Sequence, residues 1–228
     1  MEKIVGVIGG MGPEATADFF IRFLKKEKVS RDQDHTHIII DSNSKIPDRT
    51  AFIFGKGPDP LPKIVESAKR LENAGATVLV MTCNTAHYFY DQIVEHVSIP
   101  LLNMIEEVAM YIKKEGFKSA FILATDGTLK TKLYQNALKK YDISFSHPDA
   151  ASQHDVMEGI YLIKAGKNEE GKQKLKRVYE KYVDDYECMI LGCTEISIAL
   201  KDLPKVVDPV DVIIEKLLEY NIEGGFRI

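Results

Sequence analysis

At 228 residues, 45% of them hydrophobic, the chain is long enough to bury a core as one large domain or two small lobes without a metal or disulfide staple. Its 34 acidic and 30 basic residues give a formal net charge of -4 with no long single-sign block, which argues against a nucleic-acid footprint. No stretch approaches the ~20 apolar residues of a membrane span, and three cysteines are a poor disulfide framework and fit reduced thiols.

The chain runs from Met1 directly into an apolar strand, Ile4 to Ile8, without the zones of a signal peptide, so a cytoplasmic location is expected. The turn that follows, Gly9-Gly10-Met11-Gly12-Pro13, opens a helix; its glycines allow close backbone approach and its amides suit a carboxylate or phosphate. Gly10, Gly12 and Ala15, with Asp41 further on, also match a loose dinucleotide pattern, which alone is a weak signal. A second strand, His37 to Ile40, leads to Ile46-Pro47-Asp48-Arg49-Thr50, where Arg49 is either a bidentate carboxylate contact or a surface arginine. His35 and His37 read as structural or exposed rather than metal-binding. A helix from about Leu61 carries Ile64, Val65, Ala68 and Leu71 at helical spacing and stops at Gly75.

A third strand, Val78 to Met81, ends at Thr82-Cys83-Asn84-Thr85. His87, four residues after Cys83, makes a Cys/His pair conceivable on one helical turn. Residues Asn103 to Lys114 read as a connecting helix, and a second cycle then begins: strands Ala120 to Leu123, Ile143 to Phe145 and Met189 to Leu191, with a charged helix from about Asn168 to Asp184. Its first turn, Thr125-Asp126-Gly127-Thr128, corresponds to the first glycine turn, and its last strand ends at Gly192-Cys193-Thr194-Glu195. Lys164, ending the apolar stretch from Gly159, is either a charge in a cleft or a solvated lysine. Cys188 lies an odd number of residues before Cys193, hence on the opposite strand face, and reads as core.

The two cycles superpose with nearly constant offsets, Gly12 on Gly127 at 115 residues and Cys83 on Cys193 at 110. Alternating strands and helices predict an α/β fold of two similar lobes with parallel-rich sheets. Pro204 to Pro209 reads as a crossing back, and the helix from Val210 to about Tyr220 as packing on the first lobe. The expected division is 1–102 plus 209–228 for the first lobe and 103–208 for the second, with a ligand cleft between them. A thiol then stands twice at the carboxyl end of a buried strand, where open α/β sheets place ligands. Two thiols facing one carbon can act as acid and base from opposite sides, and helices starting just after each cysteine would favour the thiolate.

These residues together resemble the cofactor-independent aspartate/glutamate racemase superfamily, most closely its aspartate racemase branch. The carrying segments are Gly9 to Pro13, Pro47 to Thr50, Cys83 to His87, Gly159-Ile160-Tyr161 with Lys164, and Gly192 to Glu195. The resemblance implies two lobes related by a pseudo-twofold, a homodimer, no pyridoxal phosphate, metal or nucleotide, and a small acidic amino acid as substrate. It implies proton transfer by Cys83 and Cys193. Asn84, Thr85 and Thr194, with the turn amides around Met11 and Thr128, would hold the α-carboxylate and ammonium, and Arg49 and Lys164 would grip the side-chain carboxylate. Glutamate or a broader range of amino acids is the alternative substrate. A non-catalytic acidic amino-acid binding protein and a nicotinamide-dependent oxidoreductase are the readings from other classes.

Overall fold

The computed structural model describes residues 3–223. Strand β1 (Ile4–Gly9) leads into helix α1 (Pro13–Lys26), then β2 (His37–Ser42), α2 (Arg49–Ile53), α3 (Leu61–Asn73), β3 (Val78–Met81) and α4 (Tyr90–Val94). Helix α5 (Met104–Lys114) passes to β4 (Ser119–Ala124), α6 (Asp126–Lys130), α7 (Leu133–Lys140), β5 (Ser144–Ser146), α8 (Ala150–Lys164), α9 (Asn168–Tyr182) and β6 (Cys188–Gly192). After β6 come α10 (Thr194–Leu200), β7 (Val206–Val207) and α11 (Pro209–Glu223). Helix α3 ends as predicted, with Gly75 in the left-handed region at φ 99°.

Two parallel sheets form, in the orders β2-β1-β3 and β5-β4-β6-β7. Leu101 bridges in parallel to Leu79 of β3, in the place that β7 holds beside β6, so the two lobes share one strand order. The crossing read at Pro204 to Pro209 therefore contains a short strand, too brief and proline-flanked to declare itself by alternation.

Each central strand is buried on both faces with a period of two, which is why the sequence reads as apolar runs. In β1 and β3, Val5, Val7, Val78 and Val80 face Phe19 and Phe23 of α1 and Ile213, Ile214 and Leu217 of α11. Ile8, Leu79 and Met81 face α3 through Ile64, Ala68 and Leu71. In the second sheet Ala120, Ile122, Cys188 and Ile190 meet α5 and α7, while Phe121, Leu123, Met189 and Leu191 meet α8, α9 and α10. Cys188 is core, as its spacing predicts, and burial pushes its thiol up to about 12. Helix α11 returns to the core of the first sheet, and α5 packs on the second while its first residue, Met104, stays in the first. The chain therefore crosses twice, and the carboxyl ends of both sheets border one cleft between the lobes. Among the described residues no helix is long and apolar enough to cross a membrane.

Candidate active site

Five strand-end turns and the end of α8 converge on a narrow inner chamber lined by Met11, Asp48, Arg49, Thr50, Cys83, Asn84, Thr85, Thr125, Lys164, Cys193, Thr194 and Glu195. It opens into an outer cleft of about 300 Å³ that shares Met11, Asp48, Arg49, Lys164 and Glu195 and adds Gly10, Pro13, Ser44 and Ile198. Both thiols are free and buried, each 6% exposed. The glycine turn forms one wall because Gly10 sits at φ 84° with the Asn43 backbone against it: a Cβ there would lie 2.4 Å from Asn43 N.

Arg49 is buried, not on the surface. The α2 turn, capped by Asp48 Oδ1 accepting from Ala51 N (2.7 Å), aims it inward, where Nη1 donates to Pro47 O (2.9 Å) and Nη2 to Met11 O (3.1 Å). Its Nε has no hydrogen-bond partner. Burial works against the guanidinium charge, but the facing Cys83 sulfur, then Asp48 and Glu195, hold its pKa above the ordinary arginine value. Lys164, an exposed residue, brings its ammonium to the rim of both spaces, 5.7 Å from the Tyr161 ring centroid. Desolvation opposes its charge, and Glu195 and Cys193 outweigh it and raise its pKa. Two cations thus overlook a chamber walled by two thiols.

The two thiols are not equivalently served. The segment after Cys83 is a 3-10 helix, Thr85–Phe89, whose preceding residue Asn84 makes no capping bond; α10 begins directly after Cys193, which is its N-cap. The expected thiolate-favouring helix start is thus present only at Cys193, and there it is overridden. Burial, then the Glu195 charge, raises that thiol well above the usual cysteine value, and its S–H donates to Glu195 Oε2 at 2.9 Å.

The polar wall differs in detail from the sequence reading. Thr128 does not line the chamber: its amide donates to Thr125 Oγ1 (3.1 Å) and is already used, while its hydroxyl pairs with Thr85 Oγ1 (2.9 Å). Thr125 takes its place, itself 2.9 Å from Thr85 Oγ1, so three hydroxyls tie the lobes together. Asn84 accepts at Oδ1 from the Tyr134 hydroxyl and leaves Nδ2 buried without a partner. Thr194 lines the chamber as expected, and the Met11 carbonyl is taken by Arg49. Thr125, Tyr134 and Glu195 carry no assignment from sequence, because their contacts form only when the chain folds.

His87 is no partner for the Cys83 thiol. Its Nδ1 meets the Cys83 carbonyl oxygen (2.9 Å) and its Nε2 accepts from Met104 N (3.2 Å). Asp41 is ion-paired with Arg70 at 2.6 Å, and His35 with Glu27 at 2.6 Å; among the described residues no group of three or more metal-ligating side chains forms.

Residues 8–217 match the family model described as Asp/Glu/Hydantoin racemase. The chain is similar to the broad specificity amino-acid racemase RacX of Bacillus subtilis, 28% identical over 216 residues covering 91% of this chain and 92% of that protein. Among solved structures it resembles the aspartate racemase of Picrophilus torridus (TM-score 0.88, 31% identity, 95% of this chain and 93% of that one). An aspartate racemase homologue from Pyrococcus horikoshii is also similar (TM-score 0.77, 27% identity, 98% and 100%). Two like-ordered parallel lobes, a cysteine at the matching strand end of each, and a family match across nearly the whole length lead to one conclusion: the chain belongs to the Asp/Glu/hydantoin racemase family.

Proposed function

We propose that the protein interconverts L- and D-aspartate without a cofactor, by two-base proton transfer between Cys83 and Cys193. The observation that carries this reading is the pair of buried thiols lining one small chamber together with Arg49 and Lys164. The α-proton of an amino acid is weakly acidic, so one face of the carbon needs a base and the other an acid, each contributing about 10²–10⁴-fold. Thiolate and thiol serve both roles and exchange them with the handedness of the substrate. Arg49 and Lys164 supply positive charge for the two carboxylates. The unpartnered Arg49 Nε and Asn84 Nδ2 are donors whose buried cost a bound carboxylate would relieve. Thr85, Thr125 and Thr194 supply hydroxyls for the remaining polar groups.

The likeness to an aspartate racemase over most of both chains favours aspartate. A wider substrate range is the second reading, supported by the likeness to a broad specificity amino-acid racemase and by the outer cleft, which has room for a longer side chain. Replacing either thiol tests the chemistry. Cys83→Ser and Cys193→Ser should each lower racemisation of L-aspartate, followed by chiral chromatography, by about 10²–10⁴-fold. Activity within tenfold of the parent in either variant would contradict the two-cysteine mechanism.

A further inference from the structure

Tyr134 is fully buried on α7 of the second lobe, yet its hydroxyl donates to Asn84 Oδ1 of the first, the residue directly after Cys83. That is the hydroxyl's only hydrogen bond among the described residues. Burial, with Asp208 and Cys193 nearby, raises its pKa well above the ordinary value of 10, so the proton stays on oxygen. The ring is wedged on the strand end just before Cys193: a Cβ on Gly192 would stand 3.0 Å from Tyr134 Cε2, and this packing fixes where the hydroxyl sits. The two arms of a carboxamide have nearly the same shape, so a hydrogen-bond partner, not packing, decides which of them enters a pocket. With Oδ1 held by a fixed O–H donor, Asn84 has only its NH₂ group left to present. That Nδ2 is buried without a partner, on a residue that lines the chamber, and the Arg49 Nε of the same lining is a second unpaired donor.

We propose that Tyr134 is a positioning residue that sets the polarity of Asn84: it holds the amide with its NH₂ inward, and so makes this corner of the chamber a seat for a substrate carboxylate rather than for the ammonium. This rests on the acidic amino-acid reading above and deepens it. Tyr134 does not line the chamber, so it acts only through Asn84. An amide free to turn could present its oxygen and favour the ammonium; a hydroxyl proton with no other acceptor removes that choice. Because the donor belongs to the second lobe and the amide to the first, the carboxylate seat is complete only when the lobes are together.

Tyr134→Phe keeps the ring and removes the hydroxyl. Calorimetry with succinate, a dicarboxylate that has no ammonium and cannot racemise, should show a Kd raised about tenfold or more. The KM for L-aspartate should rise alike, while kcat stays within about threefold of the parent. Asn84→Ala should weaken succinate similarly, and adding Tyr134→Phe to it should change the Kd by less than about twofold, since the hydroxyl then has no amide to hold. An unchanged succinate Kd in Tyr134→Phe overturns the proposal, and if aspartate alone is weakened the amide meets the ammonium instead. Losses that add in full in the double variant also overturn it, because the tyrosine then supports the fold at large. Should Tyr134→Phe not fold, Asn84→Asp still offers an oxygen to the hydroxyl but turns an oxygen inward; succinate should weaken by about tenfold or more, and parental affinity there overturns the proposal. The two failures are distinguishable. An unaltered protein that neither binds succinate nor racemises aspartate overturns the acidic amino-acid reading and the proposal together, whereas a parent that does both, beside additive variants, overturns the positioning role alone.

Discussion

His87 shows how a single side chain reads one way in sequence and acts another way in the fold. Its spacing from Cys83 suits a nucleophile pair, yet both ring nitrogens are spent on backbone. Nε2 accepts from the first amide of α5, so Nδ1 carries the proton and donates to the Cys83 carbonyl, fixing the turn that carries the thiol. Full burial lowers its pKa to about 4, against an unfolded value of 6.5. A depressed histidine contributes stability that is complete above the unfolded value and is lost as pH falls towards the folded one. Urea denaturation should therefore show about 2 kcal/mol less stability at pH 5 than at pH 7 from this group, and His87→Gln should lose that part of the pH dependence. An unchanged slope in the variant would mean that other groups carry it.

Among the elements, α1, α10 and α11 meet in a charged joint behind the chamber. Arg22 of α1 donates to Ser197 Oγ of α10 (2.9 Å) and to Asp208 Oδ2 at the return crossing (2.8 Å), and Ser197 donates to the same Asp208 oxygen at 2.5 Å. Lys201, just past the end of α10, reaches Asp18 of α1 at 2.8 Å. Asp208 also caps α11 by accepting from Val210 N (2.9 Å), much as Asn103 caps α5 at the first crossing by accepting from Ile105 N (3.1 Å). Because α10 begins directly after Cys193 and α1 follows the glycine turn, this joint sets one thiol against the opposite wall. Arg22→Met leaves Asp208 buried without its cation and should cost about 3–5 kcal/mol by urea denaturation. Lys26→Met, at a more exposed pair with Glu215, should cost about 0–1 kcal/mol. Equal losses would show that the joint is no more than a surface ion pair.

The whole molecule is one lobe plan used twice, and how far that was legible depends on the length scale over which each feature is set. Strands buried on both faces must be apolar throughout, so β1, β3, β4 and β6 stand out in sequence, and the cysteines mark where two of them end. Helix starts and stops were equally local: Asn103 before α5 and Gly75 after α3. Strand β7 was hidden because two residues cannot show a period. The chamber's finer chemistry was hidden for a different reason, since it arises only when the lobes close. Nothing near Asn84 announces Tyr134, fifty residues away, and nothing near Thr85 announces Thr125. The central claim is that two thiols at matching strand ends exchange a proton through the α-carbon of an acidic amino acid. It is tested most directly by incubating the reduced protein, without added cofactor, with L-aspartate and separately L-glutamate in D₂O. NMR then follows α-deuteration, and chiral chromatography the opposite enantiomer. The account predicts deuterium entry together with D-aspartate formation, faster than any reaction of glutamate, whereas folded protein with free thiols that exchanged neither substrate would contradict it.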